Sequence, residues 1–135
     1  MGTRRAGSIV NFASIAVIRS SPLHAYGPVK AAILKLTEHL ATEWGPKGLR
    51  VNCVSPGPVL TPPMHHAIDK GLRDRKRMEA TPANGRIVLP REAALSVAFL
   101  LSDNASAVTG VNLPVDNSSL VTDAWAFFGG LRPQT

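Results

Sequence analysis

A strand–helix–strand pattern over residues 8–54 constrains the fold of this chain more than any other feature. The short apolar run 8–13 predicts a buried strand, and Leu49–Val54 predicts a second one. Between them, a segment from about residue 24 to Trp44 carries apolar residues at helical spacing. Two strands joined by a helix of about 20 residues form a βαβ unit, whose strands are parallel and whose crossover is right-handed.

The predicted helix has apolar residues on more than one side. Five of them share one face: Val29, Ile33, Leu36, Leu40 and Trp44. Leu34 and Ala41 add apolar character on another side, so two faces of the helix are available for burial. The helix is predicted to end at Gly45-Pro46, because proline cannot continue it.

The rest of the chain predicts a further helix over residues 90–101 and a third strand over residues 111–115. The inward face of that helix is predicted to contain Leu95, Ala98 and Phe99. Pro114 places the third strand near an edge of the sheet, because proline donates no ladder hydrogen bond. We therefore expect an α/β fold, with about three strands of a doubly wound parallel sheet and helices flanking them.

Composition excludes several classes of protein. Hydrophobic residues make up 44% of the 135 residues, which is typical of a globular domain and not of a disordered chain. The apolar runs are far shorter than a bilayer span, so no membrane segment is expected. The single cysteine, Cys53, cannot form an intrachain disulfide, and a buried structural thiol in a cytoplasmic protein is expected.

The net charge of +6 does not by itself indicate a nucleic-acid partner. Five basic residues crowd into one polar stretch: Lys70, Arg73, Arg75, Lys76 and Arg77. Acidic residues lie among them and no aromatic side chain is available there to stack bases, so a solvated helix face is favoured. His65 and His66 are adjacent and cannot share a helix face, so no metal site is predicted.

A hydroxyl, a phenol and an ammonium are predicted to meet at the carboxyl end of the first strand. Ser14 follows that strand, and Tyr26 and Lys30 lie four residues apart, so they share a helix face. A free tyrosine is a poor acid or base at neutral pH, but an ammonium one helical turn away favours the phenolate form. The trio therefore predicts a general acid/base, Tyr26, beside a serine that holds a substrate oxygen.

A stiff loop follows the second strand. Residues 55–63 contain four prolines and one glycine. Doubly wound sheets bind ligands at the carboxyl ends of their strands, so this loop is predicted to border the same site. Residues 64–81 are polar, basic and helix-compatible, and we expect them to form a mobile excursion that could close over the site.

These stretches together resemble the short-chain dehydrogenase/reductase family. The matching residues are 7–11 with Ser14, Tyr26-x-x-x-Lys30, Arg50-Val51-Asn52, Pro56-Gly57-Pro58-Val59 with Thr61, 98–102, and Thr109-Gly110. Tyr-x-x-x-Lys alone is a weak signal, but a serine before it and a Pro-Gly after it, in this order, make a strong one. The resemblance extends to about residue 116.

The resemblance implies a role for each catalytic residue. Tyr26 is the expected acid/base, Lys30 is expected to favour its phenolate and to bind the nicotinamide ribose, and Ser14 is expected to hold the substrate oxygen. The implied reaction interconverts an alcohol and a ketone or aldehyde with NAD or NADP, which supplies the hydride chemistry.

The resemblance also assigns the loop to the cofactor. The residues expected to position the nicotinamide are Pro56, Gly57, Val59 and Thr61, together with Tyr26 and Lys30. The expected partners are a small-molecule alcohol or carbonyl substrate and further copies of the protein in a homodimer or homotetramer. No nucleic acid and no membrane is expected as a partner.

The same resemblance implies that residues 1–135 are the C-terminal part of a single Rossmann-like domain. The family's glycine-rich phosphate-binding turn, and the residue that selects NAD or NADP, belong to a first half that the sequence lacks. Activity is therefore expected as part of a complete domain, and the chain alone is expected neither to bind a dinucleotide tightly nor to turn over substrate. The alternative is a truncated, inactive remnant that acts only in subunit interaction.

Two further features leave alternatives open. His24 lies two residues before Tyr26 and could line the substrate pocket or simply start the helix. Trp125, Phe127 and Phe128 make the last segment too apolar for a free tail, so it is expected to pack on the body or on a partner chain.

Overall fold

The computed structural model describes residues 7–131, which form a parallel sheet of three strands in the order β1-β2-β3. The strands are β1 (Gly7–Phe12), β2 (Leu49–Pro56) and β3 (Asn112–Val115). The helices are α1 (Tyr26–Trp44), α2 (Pro62–Asp69), α3 (Arg75–Ala80) and α4 (Pro90–Leu101). Short 3-10 turns lie at Ile15–Val17, Gly45–Lys47, Asp103–Ala105 and Asp123–Phe128. The predicted α/β class is confirmed.

Strand β2 is the centre of the sheet. Val54 pairs with Phe12 of β1 on one side and with Leu113 of β3 on the other. Residues 51–55 are buried, as expected for a strand that is covered on both edges and both faces. Pro114 lies in β3, which is an edge strand, so the prediction from its missing N–H is confirmed.

Helices α1 and α4 cover opposite faces of the sheet. Asn11 of β1 donates from Nδ2 to Thr37 Oγ1 of α1 at 3.0 Å. Ser8 of the same strand donates from Oγ to the carbonyl oxygen of Leu100 in α4 at 2.9 Å. Residues three apart in a strand point to opposite faces, so the two helices lie on opposite sides, as in a doubly wound sheet.

The face that α1 turns to the sheet contains Ala41, from the second predicted apolar side, and is not the face of Val29 and Leu36. Thr37 and Ala41 are buried, whereas Val29 and Leu36 are 59% and 52% exposed. Thr37 can be buried between helix and sheet because its hydroxyl is fully hydrogen-bonded. The hydroxyl donates to the Ile33 carbonyl oxygen and accepts from Asn11 Nδ2 of β1. A threonine with two such bonds therefore replaces a larger apolar residue at the contact.

The predicted inward face of α4 is wrong. Leu95, Ala98 and Phe99 are exposed, and Ala93 and Leu100 are the buried residues of this helix. The end of α4 is fixed because Ser8 and Arg50 both donate to the carbonyl oxygen of Leu100, and this sets which side meets the sheet.

The last described segment does not bury its aromatic rings. Phe127 and Phe128 are 87% and 86% exposed, and Trp125 is half exposed. Within residues 7–131, neither phenylalanine therefore packs on the body of the chain, and packing on a partner chain stays a prediction. Within residues 7–131, no helix is both long enough and apolar enough to span a bilayer.

Candidate functional site

The start of α1 lies against the carboxyl end of β1. Lys30 Nζ donates a hydrogen bond to the carbonyl oxygen of Phe12, the last residue of β1, at 3.0 Å. Tyr26 is the first residue of α1, and Lys30 Nζ lies 5.6 Å from the centre of its ring. The phenol and the ammonium are therefore adjacent on the N-terminal turn of α1, where the partial positive charge of the helix is greatest.

Ser14 occupies the turn that leads from β1 toward α1. It caps the 3-10 turn Ile15–Val17, and its Oγ accepts a hydrogen bond from the Ala16 N–H at 3.2 Å. A serine hydroxyl that accepts one bond keeps its proton and a second lone pair for another partner. The cap therefore orients the hydroxyl and leaves it able to bind a ligand.

The loop after β2 is tied to the end of β3 at Gly57. The Gly57 N–H donates to the Val115 carbonyl oxygen at 3.0 Å. A Cβ at position 57 would lie 3.0 Å from Asp116 Cβ and 3.1 Å from Asp116 Cα, so for any larger residue the two segments must separate by a few tenths of an ångström. Glycine therefore favours the close approach of the two chain segments.

The outer part of the loop is tied to the segment before α4. Val59 and Val88 form a parallel β-bridge, in which the Leu60 N–H donates to the Val88 carbonyl oxygen at 2.9 Å. Thr61 is the N-cap residue of α2, but its hydroxyl makes no capping hydrogen bond. The backbone of the loop is thus fixed while the Thr61 hydroxyl stays available.

A cavity of about 500 Å³ lies where these segments meet. Five of the sequence-predicted site residues line it, and we call them the anchored wall: Ser14, Tyr26, Gly57, Val59 and Thr61. Lys30 and Pro56 are not part of the lining. Lys30 stands one turn behind Tyr26, and Pro56 ends β2 opposite Val115.

The opposite side of the cavity comes from the excursion over α2 and α3. It supplies Met64, Arg73 and Met78, which we call the covering wall. The predicted position of this excursion over the site is confirmed, whereas its mobility stays a prediction. No sequence pattern identified these three residues, because their position at the site depends on two short helices with no buried residue.

Arg19 also lines the cavity and was not identified from the sequence. Its Nη1 donates to the Ser119 carbonyl oxygen at 3.1 Å, and its Nη2 pairs with the Asp123 carboxylate. Arg19 therefore joins the turn after β1 to the last described segment. His24 lines a neighbouring cavity of about 370 Å³ and not this one.

Two buried groups near the site have structural roles. Burial raises the pKa of the Cys53 thiol, which fits the predicted inert cysteine. Asn52 is fully buried, and its amide donates to the Val108 carbonyl oxygen at 2.8 Å and accepts from the Val111 N–H at 3.2 Å. Within residues 7–131, no group of three His, Cys, Asp or Glu could hold a metal ion.

The sequence is similar to a known protein family and to curated members of it. Residues 1–117 match the family model described as enoyl-(acyl carrier protein) reductase. A 7alpha-hydroxysteroid dehydrogenase of Bacteroides fragilis is 38% identical over 118 residues, which are 86% of this chain and 44% of the relative. The chain spans less than half the length of the curated relatives it matches first.

Solved structures show the same similarity. A protein from Brucella melitensis 16M, titled ribose-5-phosphate isomerase, is 54% identical with a TM-score of 0.92, over 96% of this chain and 50% of that one. The protein ElxO with NADP bound is 28% identical with a TM-score of 0.80, over 86% of this chain and 47% of that one. In each case the similarity covers most of this chain and about half of the other protein.

Proposed function

We propose, because the chain belongs to the short-chain dehydrogenase/reductase family, that the full-length gene product is an oxidoreductase. It interconverts an alcohol and a ketone or aldehyde, with NAD or NADP as the cofactor. The observation that carries the proposal is the cavity whose anchored wall brings Ser14 and Tyr26 to the same space as the Gly57–Thr61 loop.

Three side chains have separate roles in proton transfer. The Tyr26 hydroxyl transfers a proton to or from the substrate oxygen, and Lys30, with its Nζ 5.6 Å from the ring centre, places a positive charge beside it. The Ser14 hydroxyl, oriented by the Ala16 N–H, holds the substrate oxygen in position. Positioning of this kind removes much of the entropy cost of bringing the reactants together.

The donor set on the anchored wall fits a nicotinamide. The Thr61 hydroxyl is free of a capping bond, and backbone groups of the loop border the cavity beside it. Thr61, Gly57 and Val59 would hold the carboxamide side of the ring, and Lys30 the ribose hydroxyls. When bound, the nicotinamide supplies the hydride. ElxO, a relative of known structure, has NADP bound.

Turnover by the full-length gene product tests the proposal. A panel of secondary alcohols and ketones is incubated with NAD, NADP or their reduced forms, and the absorbance of reduced nicotinamide is followed. Turnover with at least one pair is expected. Failure with every pair, by protein that is shown to be folded, contradicts the proposal and favours the inactive remnant that acts only in subunit interaction.

A second candidate is isomerisation of a phosphorylated sugar. It is supported by the 54% identity to the Brucella melitensis protein titled ribose-5-phosphate isomerase. Aldose–ketose isomerisation moves a proton between carbon atoms and oxidises no cofactor, so the Tyr26 phenol could serve it as well. Conversion of ribose 5-phosphate without any nicotinamide cofactor would establish this activity.

We also propose a homodimer or homotetramer in the cytoplasm. Exposed apolar residues on α1 and α4 support assembly, since Val29 and Leu95 are 59% and 57% exposed. Light scattering of the full-length gene product should give the mass of two or four copies. A monomer at micromolar concentration contradicts the assembly.

A further inference from the structure

We propose that Arg73 binds an anionic group of the substrate, a carboxylate or a phosphate, so that the enzyme prefers acidic alcohols and ketones. The inference rests on the proposed function, because it names the substrate class of the same cavity. Two observations support it: the cavity is lined by two arginines and by no acidic residue, and only one of the two arginines is paired with a carboxylate.

The lining of the cavity is positively charged. Of the described residues in it, Arg19 and Arg73 are charged and none is acidic. Arg19 is neutralised, because its guanidinium pairs with the Asp123 carboxylate and donates to the Ser119 carbonyl oxygen. The charge that remains for a ligand is therefore that of Arg73.

Arg73 has few partners within the described residues. Its Nη1 donates to the Leu72 carbonyl oxygen at 3.1 Å, and among residues 7–131 it forms no ion pair. A guanidinium has five N–H donors in a planar fork that matches a carboxylate or phosphate. Arg73 therefore keeps most of its donors for a ligand in the cavity.

Two carboxylates that follow Arg73 in the excursion are engaged elsewhere. Asp74 lies 3.4 Å from Arg77 Nε and also caps α3, while Glu79 Oε1 accepts from Arg75 Nε at 2.8 Å. These pairs leave Arg73 as the arginine of this stretch that faces the cavity. Arg75 and Arg77 therefore have carboxylate partners within the excursion, whereas Arg73 has none among residues 7–131.

The rest of the covering wall limits the shape of the ligand. Met64 and Met78 flank the cavity with flexible apolar side chains that adapt to different shapes. The complementary substrate has an apolar body, a hydroxyl or carbonyl group for Ser14 and Tyr26, and one anionic group for Arg73. Hydroxy or keto acids and phosphorylated alcohols share this chemistry.

The test compares charged and neutral substrates of the same size. The full-length gene product and its Arg73→Met, Arg73→Lys and Arg77→Met variants are assayed with keto acids, their methyl esters and phosphorylated ketones. In the parent protein, the KM for the preferred anion is expected to be at least tenfold below that of its neutral counterpart. Arg73→Met should raise that KM by about tenfold to a hundredfold, the range for a lost hydrogen bond between charged groups.

Controls separate a binding role from a structural one. Arg77→Met removes the same charge from the same excursion, outside the cavity, and should leave both KM values unchanged. Arg73→Lys should recover part of the anion preference, and the KM for the neutral ester should not change in any variant. Whether the carboxylate or the phosphate series responds identifies which anion is bound.

Several results overturn the inference. The parent protein could prefer the neutral esters, or Arg73→Met could raise the KM of esters and acids equally. A fall in cofactor affinity in Arg73→Met, measured by calorimetric titration, would assign Arg73 to the cofactor instead. Turnover of ketones with no effect of Arg73→Met on the KM of the anionic substrates disproves only this inference, whereas the absence of nicotinamide-dependent turnover of every ketone disproves the proposed function as well.

Discussion

The anchored wall and the covering wall border one cavity but are held in place in different ways. On the anchored wall, the Gly57 N–H and the Leu60 N–H are both bonded to backbone carbonyls of other segments, and Lys30 ties α1 to β1. The covering wall comes from helices of eight and six residues, neither of which contains a buried residue. The two walls therefore differ in how strongly the sheet determines their geometry.

This difference suggests a division of labour. We infer that the groups closest to the reacting atoms are carried by segments bonded to the sheet, which hold them within a fraction of an ångström. We infer likewise that groups that recognise the rest of the substrate are carried by the excursion, where a change of sequence costs the fold little. Substitutions on each wall test this separation of chemistry, rigidity and recognition.

The largest effect is expected from Tyr26→Phe on the anchored wall. The variant keeps the ring and its contacts but removes the proton that is transferred, so kcat should fall by at least about a hundredfold, in the range for general acid–base catalysis. Neutral and anionic substrates should lose turnover alike, in contrast to Arg73→Met. Steady-state assays check this, and calorimetry should show cofactor affinity unchanged. A kcat within tenfold of the parent value would remove Tyr26 from the catalytic role.

The anchored wall was largely predictable from the sequence because local rules determine it. Apolar runs located β1 and β2, and the spacing of Tyr26 and Lys30 placed both on one face of a helix. Proline and glycine located the loop. Each of these signals acts over a few residues, so tertiary contacts had little opportunity to override them.

The features that the sequence did not predict depend on contacts between residues far apart in the chain. Arg19 contacts Ser119 and Asp123, about a hundred residues away in sequence, and no local sequence pattern predicts such a contact. The buried side of α4 was mispredicted because Ser8 and Arg50 fix the position of Leu100, whereas hydrophobicity alone favoured Leu95. The same holds for Arg73, whose place on the cavity depends on how the excursion folds back.

A smaller effect is expected from Gly57→Ala, which tests the rigidity of the anchored wall. The new Cβ meets Asp116 at about 3 Å, so the loop must shift, and overpacking of this kind costs about 1–3 kcal/mol of unfolding free energy. Urea denaturation of the full-length gene product measures the loss. His39→Ala, at an exposed position inside α1, is the control and should not lower stability, because alanine suits a helix. Equal stability of the two variants would show that the loop tolerates movement.

The smallest effect is expected from Glu92→Gln, which removes the charge that Glu92 contributes to its ion pair with Arg86, on either side of Val88 in the sequence. Hydrogen bonds from Arg86, and then one from the Leu89 N–H, hold the pKa of Glu92 at about 2, below its ordinary value of 4.5. Because the folded-state pKa is the lower one, the contribution of Glu92 to stability is present above about pH 4.5 and is lost as the pH falls toward 2.

Unfolding experiments at several pH values check the role of Glu92. The stability difference between the parent and Glu92→Gln should be greatest near neutral pH and should shrink as the pH is lowered below 4.5. Glu43→Gln, at an exposed position on α1, should show no such trend. A difference that is constant with pH would mean that the carboxylate charge does not stabilise the segment that holds Val59.

Isotope transfer shows whether the cavity between the two walls carries out the proposed nicotinamide-dependent reduction. The full-length gene product is given a ketone or keto acid and reduced cofactor labelled with deuterium at the position that leaves as hydride, and the alcohol is examined by mass spectrometry. One deuterium is expected on the carbon that bears the new hydroxyl, at a rate that Tyr26→Phe reduces at least a hundredfold. Absence of the alcohol, or an alcohol without deuterium on that carbon, would contradict transfer of hydride from the nicotinamide.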